Sequence, residues 1–465
     1  MSTSSKSDLS FDCVMKCIKS FQRMLMTPLK SSPKSENVVY STSETSYPAC
    51  DECYEYQYNQ HNPSFYCQPC NTKRFRLEFD KWSTGNNKLD RLIQKSHIKS
   101  KKVFELLEWI PYSSLKDITR IAQGGFSTVY SAVLVNGPMQ RFDLSKQQWS
   151  RAGVSRVIFK EFYNSKDSSF QFLEEIQGYL RVGGNKPVTT RIYGISQEPK
   201  SKNYGIVMQY ADLGSLRHIL NETFHEKNWN ERLDILSEIS SCLSQLHNVN
   251  MIHKNLHSGN ILYYRLSSIT ISDLGLCKPL DDENSKDIYG VIPYVAPEVF
   301  SDASYSLASD VYSFGIIASE VVSGNPPFYN KAHDQGLVFD IFMGRRPQLP
   351  QEIPQHLKKL LFKCWDVNPN ERPTMQQIHK KLDQWKHEIR DDPSSNIYKE
   401  FKLANEKWKR NSTTFKKLDL TIHEGAVYKS RILKFKSLPK PINANGIIVN
   451  KLSINKARLN GIICF

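Results

Sequence analysis

An ordered series of short motifs runs through the middle of this 465-residue chain, and its centre is Ile252-His253-Lys254-Asn255-Leu256-His257-Ser258-Gly259-Asn260. Upstream lie a glycine-containing turn, Ile121-Ala122-Gln123-Gly124-Gly125-Phe126-Ser127-Thr128-Val129-Tyr130, and an apolar strand pattern ending in a lysine, Val157-Ile158-Phe159-Lys160. The apolar-acidic stretch Phe172-Leu173-Glu174-Glu175-Ile176 follows. Downstream come Asp273-Leu274-Gly275, Ala296-Pro297-Glu298, Asp310-Val311-Tyr312-Ser313-Phe314-Gly315, and Cys364-Trp365 with Glu371-Arg372-Pro373. One such motif is weak evidence. The whole set, in this order over residues 115–388, restricts the chain to very few architectures.

The residue types point to phosphate and metal chemistry. Glycine lets backbone N–H groups approach a phosphate closely. A lysine closing an apolar strand is a point charge for phosphate oxygens, and Glu175, which precedes Ile176 on the apolar face, suits it as a partner better than Glu174. Asn260 and Asp273 offer hard oxygen donors of the kind Mg²⁺ requires.

Residues 115–388 resemble protein kinases of the tyrosine-kinase-like group. The resemblance implies an α+β, two-lobed protein kinase fold with a small β-rich N-lobe and a larger helical C-lobe, here with an N-terminal cysteine cluster and disordered termini. It also implies ATP and Mg²⁺ as cofactors. Lys160 then holds two ATP phosphates, and Asn260 and Asp273 hold Mg²⁺. The nucleotide cleft takes Gly124, Gly125, Val129, Ile158, Lys160, Met208, Ala211 and Leu262, with Met208 at the back of the adenine pocket. The wider arrangement, including Glu108-Trp109-Ile110-Pro111, resembles a large kinase-like family expanded in arbuscular mycorrhizal fungi.

Several positions depart from the kinase pattern. Asn255 stands where the catalytic loop carries its aspartate base, and an amide does not accept a proton at neutral pH. Ala122 and Ser127 replace two of the three glycines of the phosphate loop, and Ile158 replaces an alanine beside adenine. Val291 stands where serine/threonine kinases carry threonine, and Lys254 replaces an arginine, losing its bidentate reach.

Cys50-x-x-Cys53 and Cys67-x-x-Cys70 are two knuckles of the kind that complete a tetrahedral Zn²⁺ site; free reduced thiols are the alternative. His61, between them, is surplus to four sulfurs. The composition divides the remainder. Residues 1–49 read as disordered, with one apolar patch from Phe11 to Met26 at near-helical spacing; residues 50–70 form the zinc module. Residues 71–112 read as a helical connector that includes Trp109 and Ile110, residues 113–388 as the kinase-like domain, and 136–156 as a polar insertion within it containing Trp149. Residues 389–465 read as a basic, largely disordered tail, with a short helix near Phe401, Leu403 and Trp408 and a linear motif from Gly425 to Pro439.

The net charge is +15, and residues 391–465 hold 15 Lys/Arg against 6 Asp/Glu. The charges are dispersed, which argues against specific nucleic-acid recognition and leaves either a solvated extension or contact with acidic surfaces. No apolar run reaches the roughly 20 residues of a spanning helix, and the first residues lack a secretory segment, so the expected location is the cytoplasm, with reduced or metal-bound cysteines. The expected function is a kinase-fold signalling protein, an ATP-binding pseudokinase or weakly active homologue that acts on a protein substrate or partner. The alternatives are an active Ser/Thr or Tyr kinase, and a zinc-module adaptor that uses the kinase fold as a platform.

Overall fold

The computed structural model describes residues 50, 52–53, 66–167, 170–182, 188–265, 269–279, 288–412, 421–435 and 438–443. The Phe11–Met26 patch and His61 lie outside them.

The N-lobe is a six-stranded sheet in the order β1-β7-β8-β6-β3-β2. Its strands are β1 (Glu108–Trp109), β2 (Leu115–Gln123), β3 (Ser127–Leu134), β6 (Ser155–Phe162), β7 (Ile192–Gln197) and β8 (Tyr204–Gln209). Alternation builds β6: Val157 and Phe159 are fully buried beneath the sheet, while Ile158 and Lys160 share the opposite, partly open face. Helix α3 (Phe170–Arg181) buries Phe172, Glu175 and Ile176 against this lobe.

Two segments correct the sequence reading. The connector begins with helices α1 (Gln68–Arg76) and α2 (Asn87–Lys99), but its end is not helical. Glu108 and Trp109 form β1 and pair in parallel with Gly194 and Ile195 of β7. Pro111 pushes Ile110 toward extended backbone, and the open sheet edge takes up the peptide groups. The polar insertion is an antiparallel hairpin of β4 (Met139–Asp143) and β5 (Gln148–Arg151). Trp149 stacks on Phe75 of α1 with ring centroids 5.0 Å apart, Phe142 meets Trp149 edge-on, and Arg151 pairs with Glu108. The insertion thus fastens the connector to the N-lobe.

The C-lobe is helical. Helices α4 (Leu216–Thr223), α5 (Trp229–Asn248), α6 (Pro297–Asp302), α7 (Leu307–Ser323), α8 (Gln335–Phe342), α9 (Gln355–Cys364) and α10 (Met375–Asp391) surround a continuous core. Asn228 and Glu231 form a capping box at the start of α5, and Thr374 with Gln377 does the same for α10. The motif helix α7 is buried along nearly its whole length, ending at Gly324 in a left-handed turn. A small sheet of β9 (Gly214–Ser215), β11 (Ile261–Tyr263) and β12 (Ile269–Ile271), and the pair β10 (Met251–Ile252) with β13 (Lys278–Pro279), frame the loop between residues 252 and 260.

The tail is the third correction. Helix α11 (Asn396–Ser412) is far longer than the short helix expected; Phe401 is fully buried and Trp408 meets Phe224 edge-on. The Gly425–Pro439 run is not a free linear motif. Its β15 (Arg431–Leu433) pairs antiparallel with β14 (Ile288–Gly290). Leu433 and Phe435 supply the apolar contacts that hold it: Leu433 is buried and Phe435 meets Phe300 at 5.7 Å.

Candidate active site

Lys160 is the hub of the cleft. Its ammonium lies 2.7 and 2.8 Å from the two carboxylate oxygens of Glu175 and 2.7 Å from Asp273 Oδ1. Glu175, not Glu174, is the residue that α3 presents. One cation thus ties the N-lobe strand, the N-lobe helix and the C-lobe loop together.

The two carboxylates around Lys160 differ in environment. Glu175 is almost wholly buried; that burial, with the nearby negative Asp273, outweighs the pull of Lys160 and raises it to about 7. Asp273 keeps about a third of its side chain exposed. Desolvation works against its charge, but Lys160 prevails and holds it at about 2. Asp273 also sits at φ +64°, a left-handed conformation uncommon outside glycine. Its amide N–H is fixed by the Tyr179 hydroxyl at 3.1 Å.

The 252–260 loop is held from below by Asp310 on α7. The Asp310 carboxylate accepts the backbone N–H groups of His253 at 2.8 Å and Lys254 at 3.1 Å, and Lys254 is itself left-handed at φ +67°. His253 reaches the Ser272 carbonyl at 3.1 Å. These contacts bring Asn255, Asn260 and Asp273 together. Asn255 Nδ2 donates to Asp273 Oδ2 at 3.0 Å, and Asn260 Nδ2 donates to the Asn255 carbonyl at 2.9 Å. A carboxylate only accepts, so Asp273 fixes the Asn255 amide with its oxygen facing the other way.

The remaining cleft residues fall into register. Val129 stands opposite Lys160 on the neighbouring strand, Ile158 stands opposite Met208, and Leu262 pairs with Ser215. All but the buried Met208 and Ser131 neighbours of Ile158 retain some exposure, as does Ala211 in the segment after β8. The β2–β3 turn is a tight hairpin: the Gly124 N–H donates to the Ser127 carbonyl at 2.9 Å, and Ser127 is buried within β3. Neither Gly124 nor Gly125 uses a left-handed φ. The turn leans onto Tyr289, whose ring lies 5.3 Å from that of Phe126.

Deeper in the C-lobe, Arg372 grips Glu298 of the Ala-Pro-Glu motif through two bonds of 2.6 and 2.8 Å. The Glu371-Arg372-Pro373 stretch thus secures that motif through a charged, two-bond contact. Three site residues, His257, Ser430 and Arg217, were not singled out from the sequence. His257 and Ser430 flank Asn255, with Ser430 Oγ 2.9 Å from Asn255 Oδ1 and 3.0 Å from His257 Nε2. Arg217 donates to Tyr294 at 2.6 Å and Ser258 at 2.8 Å, and Tyr289 bonds the Ser430 carbonyl at 3.3 Å. His257 was legible as part of the loop motif. Ser430 lies 175 residues from Asn255; the sequence marks the run around it as a linear motif but does not show where it docks.

Away from the cleft, the sulfurs of Cys50, Cys53, Cys67 and Cys70 all lie within 4.8 Å of one another. The Cys50–Cys70 and Cys53–Cys67 pairs are 3.9 and 3.6 Å apart. Tetrahedral zinc with Zn–S bonds of about 2.3 Å needs sulfurs about 3.8 Å apart, so this set has the dimensions to hold one ion. Gln68 ties the second knuckle to α2 through the Ile98 carbonyl at 2.9 Å.

A family model for the protein tyrosine and serine/threonine kinase domain matches residues 115–382, more than half of the chain. The chain belongs to the protein kinase family. Similar proteins include a probable LIM domain-containing serine/threonine-protein kinase of Dictyostelium discoideum, 25% identical over 316 residues, covering 64% of this chain and 48% of that protein. The probable serine/threonine-protein kinase kinX of the same organism is 27% identical over 310 residues, covering 65% of this chain and 26% of that protein. The dual specificity protein kinase pyk3 is 25% identical over 311 residues, with 66% and 21% covered. The chain therefore spans about half or less of the length of these relatives. Protein kinase domains as a class bind ATP and Mg²⁺ and act on protein substrates. Among the described residues no helix is long and apolar enough to cross a membrane.

Proposed function

We propose that this chain is a signalling kinase homologue that keeps its nucleotide site and has lost most of its phosphotransfer: a pseudokinase or weakly active Ser/Thr-type kinase of the tyrosine-kinase-like group. The observation that carries the reading is a single one. Lys160 bridges Glu175 and Asp273 within 2.8 Å while the neighbouring base position is an amide.

Mg-ATP, when bound, supplies the transferable phosphoryl group and a divalent charge. The chain's own residues orient it. Lys160 is placed to meet phosphate oxygens, and Asp273 and Asn260 present oxygens where the metal belongs. Asn255 can accept a hydrogen bond from an incoming hydroxyl but cannot take its proton. A positioned base contributes about 10²–10⁴-fold. Phosphotransfer to a general protein acceptor, measured for wild type and Asn255→Asp, should differ by at least about a hundredfold in favour of the variant. Equal rates would refute the reading.

The cysteine cluster fits structural zinc. Burial raises the Cys67 thiol to about 11 and raises Cys70 as well, so an ion there displaces thiol protons and its retention weakens in acid. Elemental analysis should find about one zinc per chain, lowered by Cys53→Ser. Metal-free protein with an unaltered protease pattern across residues 50–70 would exclude the site. The resemblance to the kinase-like family of arbuscular mycorrhizal fungi and a cytoplasmic location complete the proposal. Both rest on the motif pattern and composition.

A further inference from the structure

The tail segment 421–435 does not lie on an arbitrary part of the C-lobe. It crosses the face where the 252–260 loop, the Ile288–Gly290 strand and the β2–β3 turn converge. Its backbone extends that strand antiparallel, with Gly290 opposite Arg431, Tyr289 opposite Ile432 and Ile288 opposite Leu433. Adding a strand to an exposed edge is a general way for a protein to hold an extended peptide.

The segment is anchored on both sides of this pairing. On the N-terminal side, the Tyr428 ring packs on the Arg217 guanidinium at 4.1 Å, and its hydroxyl donates to the Pro327 carbonyl at 3.0 Å. The His333 N–H donates to the Gly425 carbonyl at 2.8 Å, and Arg431 donates back to the His333 carbonyl at 2.6 Å. On the C-terminal side, Leu433 is buried and Phe435 contacts Phe300.

These anchors place one side chain at the reactive end of the cleft. The His257 Nδ1 accepts the Gly259 N–H at 3.1 Å, so in the neutral ring the proton sits on Nε2 and faces Ser430 Oγ at 3.0 Å. That leaves the Ser430 hydroxyl proton free to point at Asn255 Oδ1, 2.9 Å away. The other end of the same amide holds Asp273. An acceptor hydroxyl must present its proton to the base-position residue, close to the metal-binding carboxylate, and Ser430 does both.

We propose that residues 423–435 occupy this chain's own peptide-acceptor groove and present Ser430 as an intramolecular phosphoacceptor. The proposal rests on the kinase reading above. In the transfer, Ser430 Oγ bonds to the γ-phosphorus of Mg-ATP. The bond from that phosphorus to the β,γ-bridging oxygen breaks, and ADP leaves with the electron pair. The hydroxyl proton goes to the carboxylate in Asn255→Asp, and in wild type to a γ-phosphoryl oxygen. The same contacts keep other peptides out until the tail leaves, and a phosphorylated Ser430, carrying added negative charge close to Asp273, would favour departure.

Two measurements on the full chain test this. Amide hydrogen exchange reads occupancy without catalysis. The amides of residues 430–433 should be protected in wild type, and Tyr428→Ala with Leu433→Asp should speed their exchange at least about tenfold. Exchange at unstructured-chain rates in wild type would overturn the proposal. The second measurement incubates Asn255→Asp with Mg-ATP and an added protein acceptor, and maps phosphate by mass spectrometry. Ser430 should be modified at a rate independent of protein concentration, since the acceptor is tethered. The rate should fall at least about tenfold with Tyr428→Ala and Leu433→Asp, while labelling of the added acceptor rises. Phosphate on the added protein with Ser430 bare would overturn the proposal and leave the kinase reading standing. Protected amides with no phosphate on any acceptor would support the occupancy and refute the kinase reading instead.

Discussion

The two halves of the cleft have fared differently. On the nucleotide side, Lys160, Glu175 and Asp273 form a closed set of charges, each within 2.8 Å of its partner. On the acceptor side the base position is uncharged: Asn255 is an amide, Val291 is a buried aliphatic residue, and a serine from the tail fills the space. Both halves are equally well built. Asn255 is 3% exposed and hydrogen-bonded at both ends of its amide. The difference teaches that an uncharged residue at this position can be held as firmly as a charged one. An amide can serve the architecture better than the carboxylate, because it donates to Asp273 where a second carboxylate would repel it.

The largest effect is expected on the nucleotide side. Lys160→Met would leave two facing carboxylates without their shared cation, and removing one partner of a buried pair costs about 3–5 kcal/mol. The variant should melt well below wild type and show no added stability with Mg-ATP. An unchanged melting temperature would mean that Lys160 is not the hub described above.

Next comes the acceptor side. Asn255→Asp removes a hydrogen bond to a charged group, worth about 1.5–3 kcal/mol, and adds a like charge beside Asp273. The variant should therefore melt earlier than wild type. If the variant is as stable as wild type, the amide is not what settles Asp273.

A pH titration sharpens the comparison from another direction. Burial, with repulsion from Arg217, holds His257 down at about 3, and burial holds His97 down at about 4. Both are neutral in the folded chain, whereas the unfolded chain protonates them near pH 6.5. Between about pH 6.5 and 4 the unfolded state binds more protons, so stability is full above that window and is lost as pH falls through it. His257→Gln should flatten this dependence in a thermal melt; an identical slope would place the loss elsewhere.

The smallest effect is expected at Ile158. Overpacking costs about 1–3 kcal/mol, and side-chain rotation can relieve part of it, so Ile158→Ala should tighten Mg-ATP binding by about tenfold or less. No gain in the calorimetric affinity would show that Ile158 does not crowd the adenine.

Much of the central scaffold was legible because its motifs are local and ordered. Val157-Ile158-Phe159-Lys160 announces a strand by alternation, and Asp310 sits in a motif that the loop above it needs. What stayed hidden depends on contacts between distant segments. Glu108 and Trp109 have a helix-like spacing, yet they pair with a strand more than 80 residues later. Trp149 in a polar stretch gives no hint that it stacks on Phe75. Ser430 is an ordinary serine in a basic tail, and only Tyr428, Leu433 and the edge of the 288–290 strand bring it to Asn255. Hydrophobic periodicity reports which face of an element is buried; it does not report where a short extended segment will dock.

The central claim is that the nucleotide half functions independently of the lost base. Calorimetric titration of Mg-ATP into wild type and Asn255→Asp tests it most directly. The account predicts that wild type binds Mg-ATP, and that the two dissociation constants agree to within about threefold, a difference under about 1 kcal/mol. Absence of binding to wild type, with binding restored by Asn255→Asp, would contradict it, because the base position and the nucleotide site would then have been lost together.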